Sequence, residues 1–119
     1  MKNFEFNSQI CTTIEQSKRL LDLGIKKETA DMSWFRRSKN ADFEYCTSSY
    51  TEWLEEILPI ITDYTLQDII PAWSLHRLIE ISHYYDLYFC MDSPYDGVID
   101  HIEFLIEKNE FNSEYLEEK

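Results

Sequence analysis

Apolar residues recur along the chain with two periods, one near 3.6 and one of two. The clearest early helix signal is a pair of overlapping capping boxes, Thr12 with Glu15 and Thr13 with Gln16. In such a box a hydroxyl accepts an otherwise orphaned backbone N–H of the first turn, and the acid or amide three residues on reaches back. Leu20, Leu21 and Leu23 follow, then Gly24, which suits the left-handed residue just past a helix, with Ile25 able to touch Leu20. A helix over residues 13–23 is expected. Ala30, Met32 and Trp34 then alternate with Asp31 and Ser33, and Phe43-Glu44-Tyr45-Cys46 alternates again. This is the period of half-buried strands, and it predicts a hairpin over residues 30–46 that turns through Arg36-Arg37-Ser38-Lys39-Asn40.

Ser49 opens a further capping box with Glu52, and Trp53, Leu54, Ile57 and Leu58 keep helical spacing until Pro59. Residues 60–64 are apolar without a clear period, and 65–68 read as a turn. Pro71 fits the first position of a helix, where its missing N–H costs nothing. From there, 100° per residue puts Ala72, Leu75, Leu78, Ile79 and Ser82 on one side and Trp73, His76, Arg77 and Glu80 on the other. Tyr85, Leu87, Phe89 and Met91 then alternate with Tyr84, Asp86, Tyr88 and Cys90, the strongest strand pattern in the chain. Ser93-Pro94-Tyr95-Asp96 is a helix start, Asn109 a stop, and Asn112 or Ser113 a cap for a last short turn. The expected fold is one α+β domain over residues 1–119. Four helices, at 13–23, 50–58, 71–82 and 94–108, pack on a small, mainly antiparallel sheet that includes 84–91.

Composition narrows the classes. Of 119 residues 44% are hydrophobic, enough for one core. The net charge is −12, from 23 acidic and 11 basic residues. Direct nucleic-acid binding needs a basic surface that displaces counterions from phosphates, so it is disfavoured. The plainer reading of the acidity is a solvated, soluble surface; the sharper one is a surface that meets a basic partner or imitates a phosphate backbone. Cys11, Cys46 and Cys90 are odd in number and widely spaced, which points to reduced thiols in a cytoplasmic protein. Residues 1–7 carry no apolar stretch of signal-peptide length, and no run approaches the roughly 18 apolar residues of a membrane span.

Chemistry is mostly excluded. Gly24 and Gly97 are isolated, so no Gly-rich phosphate loop exists, and no G-x-S-x-G elbow is present. His76 and His83 lie on either side of a period break, and His101 and Glu103 diverge on a helix, so neither pair is a metal site. No cofactor is expected. Cys46, just before a helix start, could be a stabilised thiolate, but a packed small apolar residue is the plainer reading. Glu55-Glu56 and Glu117-Glu118 read as solvated faces rather than acid–base machinery. The face of Trp73, His76, Arg77 and Glu80 is the candidate binding patch, since Trp and Arg are typical interface anchors. Its alternative is an indole packed under a neighbouring segment, with the polar groups bracing the fold.

Thr12-Thr13-x-Glu15-Gln16-Ser17-x-Arg19-Leu20-Leu21-x-Leu23-Gly24, Glu28-Thr29-Ala30-Asp31-Met32 and Pro71-Ala72-Trp73-Ser74-Leu75-x-Arg77-Leu78-Ile79-Glu80 resemble a family of small proteins. So does Tyr95-Asp96-x-Val98-Ile99-Asp100-x-Ile102-Glu103-x-Leu105-Ile106. That family is encoded in gut Bacteroidetes genomes, in their prophages and in related mobile elements. The resemblance implies a cytoplasmic, phage-associated accessory protein and assigns no catalytic residue. The expected function is non-enzymatic: protein–protein contact with an unidentified, basic partner, with no nucleic acid or membrane bound directly. One alternative is a DNA-mimic inhibitor of a host nucleic-acid enzyme, with carboxylate rows near Glu52, Glu55 and Glu56 and near Glu103, Glu107 and Glu110. The other is a small hydrolase or transferase with a Cys/His site.

Overall fold

The computed structural model describes residues 8–61, 68–83 and 93–118. Its architecture is α+β, with four α-helices and a three-stranded antiparallel sheet among the described residues. The strand expected at 84–91 and the turn at 65–68, apart from Asp68, lie outside those residues.

Helix α1, Ile14–Asp22, begins at Thr13, so the second of the two overlapping boxes is the one used: Thr13 accepts from Gln16 N, and the Gln16 side chain accepts from Thr13 N. It ends as the sequence indicates. Gly24, at φ +94°, donates to Leu21 O, and Ile25 donates to Leu20 O, the paired bonds of a Schellman ending. The hairpin is also present. Strands β1, Met32–Phe35, and β2, Glu44–Cys46, pair with Ser33 opposite Cys46. Helix α2, Tyr50–Glu52, starts on the Ser49–Glu52 box and runs into a π-helical turn, Trp53–Ile57. Helix α4, Pro94–Glu107, has Ser93 as its cap and Pro94 in its first turn.

One expected element is wrong at its start. Residues 69–72 form strand β3, Ile69–Ala72, on the far side of β1, and helix α3 spans only Leu75–Ser82. A proline can enter a sheet at an edge, with its nitrogen turned away from the partner strand. That is its position here. Arg36 N donates to Asp68 O, which fixes the alternation, so Ser33 and Pro71 form a non-hydrogen-bonded pair across β1 and β3. The outer edge of β3 is met instead by Thr12, whose N–H donates to Trp73 O at 2.8 Å and whose Oγ1 accepts from Trp73 N at 3.0 Å. The true cap of α3 is Ser74, which accepts from Arg77 N. Asp31 holds Ser74 in place by accepting from both its N–H and its hydroxyl. Tyr95 adds a third tie, its hydroxyl accepting from Leu75 N.

The sheet has two different faces. Met32 and Ala72 pack with Cys11 and Trp34 on one; Ile69 and Phe35 pack with Tyr50 and Trp53 on the other. On the second face Ser33, fully buried, donates to Ser48 O at 2.6 Å and accepts from Trp53 Nε1 at 2.7 Å. The main core lies among α1, α3 and α4. Leu20, Leu78, Val98, Ile99 and Ile102 are wholly buried there, and each such side chain contributes on the order of 1.5–3 kcal/mol.

Candidate functional site

The predicted binding face divides in two. His76 and Glu80 are exposed on α3 and Arg77 is half-buried, as the helical spacing requires. Trp73 is not on that face. It is 0% exposed and belongs to the main core. The reason is geometric: β3 ends at Ala72 and α3 begins at Leu75, so Trp73 sits in an extended joint where the 100° rule does not operate. Its indole N–H donates to Thr29 Oγ1 at 2.9 Å.

Arg77 fastens to the same residue, donating from Nη1 to Thr29 O at 2.8 Å and from Nε to Glu80 Oε1 at 3.2 Å. His76 Nε2 lies 3.6 Å from that Glu80 oxygen. Trp73 and Arg77 thus clamp the 3-10 turn Lys27–Thr29 against α3. The outward remainder is a small patch whose charges answer one another.

Two of the three cysteines, Cys11 and Cys46, are among the described residues. Cys46 lies 3.2 Å from Ser33 Oγ, and Cys11 is buried; among the described residues neither bonds to a histidine. Cys90 lies outside those residues. Among them no three metal-ligating side chains converge. Burial, helped by the Asp31 carboxylate, pushes the Cys11 thiol from 9.0 up to about 11. The folded chain therefore keeps a proton that the unfolded chain releases near pH 9. This contribution to stability is complete below pH 9 and is lost as pH rises toward 11, by at most about 2–3 kcal/mol. Urea midpoints at about pH 8 and about pH 10.5 should fall further in the native chain than in Cys11→Ala. Parallel falls would contradict the assignment.

The acidic rows are partly spent inside the protein. Arg19 Nη2 bridges Asp100 at 2.6 Å and Glu103 at 2.7 Å, which ties α1 to α4 and holds the guanidinium above its ordinary pKa, mainly through Glu103. Asp96 accepts from Gln16 Nε2, and Glu52 serves the Ser49 cap. Glu55, Glu56, Glu107 and Glu110 are exposed and make no ion pair among the described residues.

A second location emerges that sequence reasoning missed. Helix α4 ends as α1 does: Asn109, at φ +56°, donates to Ile106 O, and Glu110 donates to Leu105 O. The segment after α4 folds back over the end of α1. Ile25 and Leu116 form an antiparallel bridge, flanked by Lys26 N to Tyr115 O at 2.8 Å and Glu117 N to Gly24 O at 2.7 Å. Between the two helix ends lies a cleft of about 590 Å³. Leu23, Ile106, Phe111 and Leu116 are its apolar lining residues; Asp22, Glu117 and Glu118 are its acidic ones. Each helix C-terminus adds roughly half a negative charge of its own. Glu117 and Glu118 had the local signature of a solvated tail. Only the long-range pairing with Gly24 brings them to the cleft, and no short-range pattern carries that.

No family, curated protein or solved structure matches the chain. Among the described residues no helix is long and apolar enough to cross a membrane.

Proposed function

We propose that the protein is a non-enzymatic binding protein that engages a basic protein partner through its acidic surface. In the setting given by the sequence resemblance, it is an accessory protein of a prophage or mobile element. The observation that carries this reading is the cleft between the ends of α1 and α4, which three acidic residues, Asp22, Glu117 and Glu118, line together with the two helix ends. A surplus of 12 negative charges adds long-range attraction for a cation. Phosphate mimicry has weaker support, because Asp100 and Glu103 share Arg19, which offsets one of their two negative charges in the middle of α4.

The test is affinity capture from the native host followed by mass spectrometry. A partner with a basic surface is expected, released as salt rises from about 0.1 M to about 0.5 M, because exposed charges are screened over that range. A partner without a basic surface, or retention indifferent to salt, would overturn the reading.

A further inference from the structure

We infer that the outer edge of β2 is the contact by which two copies of this chain pair, strand against strand and antiparallel about Tyr45. This lies beyond the proposed binding function and uses a different surface.

The register decides which backbone groups are open to such a contact. Arg36 N donates to Asp68 O, so Trp34 and Met32 exchange their backbone bonds with β3. Ser33 and Phe35 turn theirs the other way, to Cys46 and Glu44 of β2. Trp34 and Tyr45 are the non-hydrogen-bonded pair between them. The N–H and C=O of Tyr45 therefore point away from β1, out of the sheet. The order β2-β1-β3 makes that side an edge, and neither group is bonded among the described residues. The opposite edge differs, because Thr12 meets the end of β3 at Trp73. Exposed edges are commonly blunted by proline or lysine. β2 has neither, and its one charge, Glu44, is paired with Arg37 at 3.0 Å. The Tyr45 side chain is 51% exposed.

The occupant is a second copy, because the strand complements itself. With the two Tyr45 residues opposite each other, they exchange both backbone bonds. Glu44 then falls opposite Cys46 of the second copy, and no like charges face each other across the strands. Trp34 stands edge-on to Tyr45 at 5.6 Å, so the twofold axis extends this pair into a row of four rings.

Charge selects the same occupant. Residues 32–48 carry three basic and two acidic side chains, and Asp68 takes Arg36, so the hairpin is locally neutral in a chain of net charge −12. A second copy meets its least repulsion here, and a basic partner its least attraction. β2 also runs from a turn bearing exposed Lys39 toward α2, which bears exposed Glu52. Antiparallel pairing sets each turn toward the α2 of the other copy. Three residues a side make a small interface, so the dimer is a weak one.

The experiment is sedimentation velocity of the full chain from about 0.01 to about 1 mM, with a monomer–dimer equilibrium expected near about 0.1 mM. Tyr45→Pro removes the outward N–H and spares the β1 ladder, because that nitrogen faces away from β1. It should weaken the dimer at least about tenfold with the thermal melt nearly unchanged. Tyr45→Lys keeps the N–H, sets two ammonium groups across the twofold axis, and should weaken it at least about tenfold too. This second variant decides the matter should the proline variant not fold. Glu44→Cys reads the register. Residue 44 lies opposite Cys46 of the second copy at the closer antiparallel spacing, about 4.5 Å between Cα atoms, which a disulfide spans. Mild oxidation with diamide should yield a covalent dimer joined between positions 44 and 46, and Cys46→Ser should abolish it.

Three results would overturn the inference: a monomer throughout the concentration range, a dimer that folded Tyr45 variants leave undiminished, or a covalent dimer whose disulfide does not join positions 44 and 46.

Discussion

Trp73→Ala is expected to cost about 3–5 kcal/mol, the range for deleting a fully buried large aromatic side chain. Three contributions converge at this residue. The indole is sealed in the core with Leu20, Leu78 and Ile99, its N–H is bonded to Thr29 Oγ1, and its backbone pairs with Thr12 on the edge of β3. Alanine keeps only the last. A domain of this size has on the order of 5–15 kcal/mol in total, so the variant should be substantially unfolded at moderate urea where the native chain is folded. Trp73→Phe retains most of the volume and loses the N–H bond, and should cost about 1–2 kcal/mol. Urea unfolding followed by far-ultraviolet circular dichroism measures both. A near-native midpoint for Trp73→Ala would return the indole to the surface and restore the binding-face reading of α3.

The second large effect is expected at Ser33. Its hydroxyl joins three segments by donating to Ser48 O and accepting from Trp53 Nε1. Ser33→Ala takes the acceptor from a buried indole N–H and the donor from a carbonyl, at about 2–3 kcal/mol. Trp53→Phe removes the same bond from the other side and adds a change in packing. Because the two variants share one interaction, their costs should not add. The double variant should be more stable than the sum of the single losses implies, by about 1 kcal/mol or more. Simple additivity within about 0.3 kcal/mol would mean that the bond contributes nothing to folding.

The parts of the fold that were legible from sequence are those set by local chemistry. Thr13 with Gln16, Ser49 with Glu52, and Ser93 with Pro94 each announce a helix start through groups within one turn. Gly24 announces a helix end because its φ of +94° is open to glycine and strained for most other residues. The alternation of Met32, Ser33, Trp34 and Phe35 survives as two faces of a real strand.

Pro71 misled because its local preferences satisfy two structures equally. A fixed φ and a missing N–H suit both the first turn of a helix and the outer edge of a sheet. What decides is Thr12, 61 residues from Trp73, which pairs with that residue. Ser74, a better cap than anything before Pro71, was the local cue pointing the other way. Within α3 itself the reading holds: Leu78 and Ser82 are buried, while His76 and Glu80 face out. Half of the candidate patch was therefore legible. The acidic cleft was not, because its members come from residues 22–24 and 106–118 and meet only through tertiary pairing.

Two surfaces thus compete for the role of contact site, the exposed side of α3 and the cleft at the other two helix ends. Arg77 is occupied by Thr29 and Glu80, whereas Asp22, Glu117 and Glu118 line the cleft and form no ion pair among the described residues. Backbone amide shift mapping with the captured partner, on a uniformly ¹⁵N-labelled chain, distinguishes them most directly. Perturbations centred on Asp22, Gly24, Phe111, Glu117 and Glu118 are the expected result. Perturbations centred on His76, Arg77 and Glu80, with the cleft amides unmoved, would contradict the account.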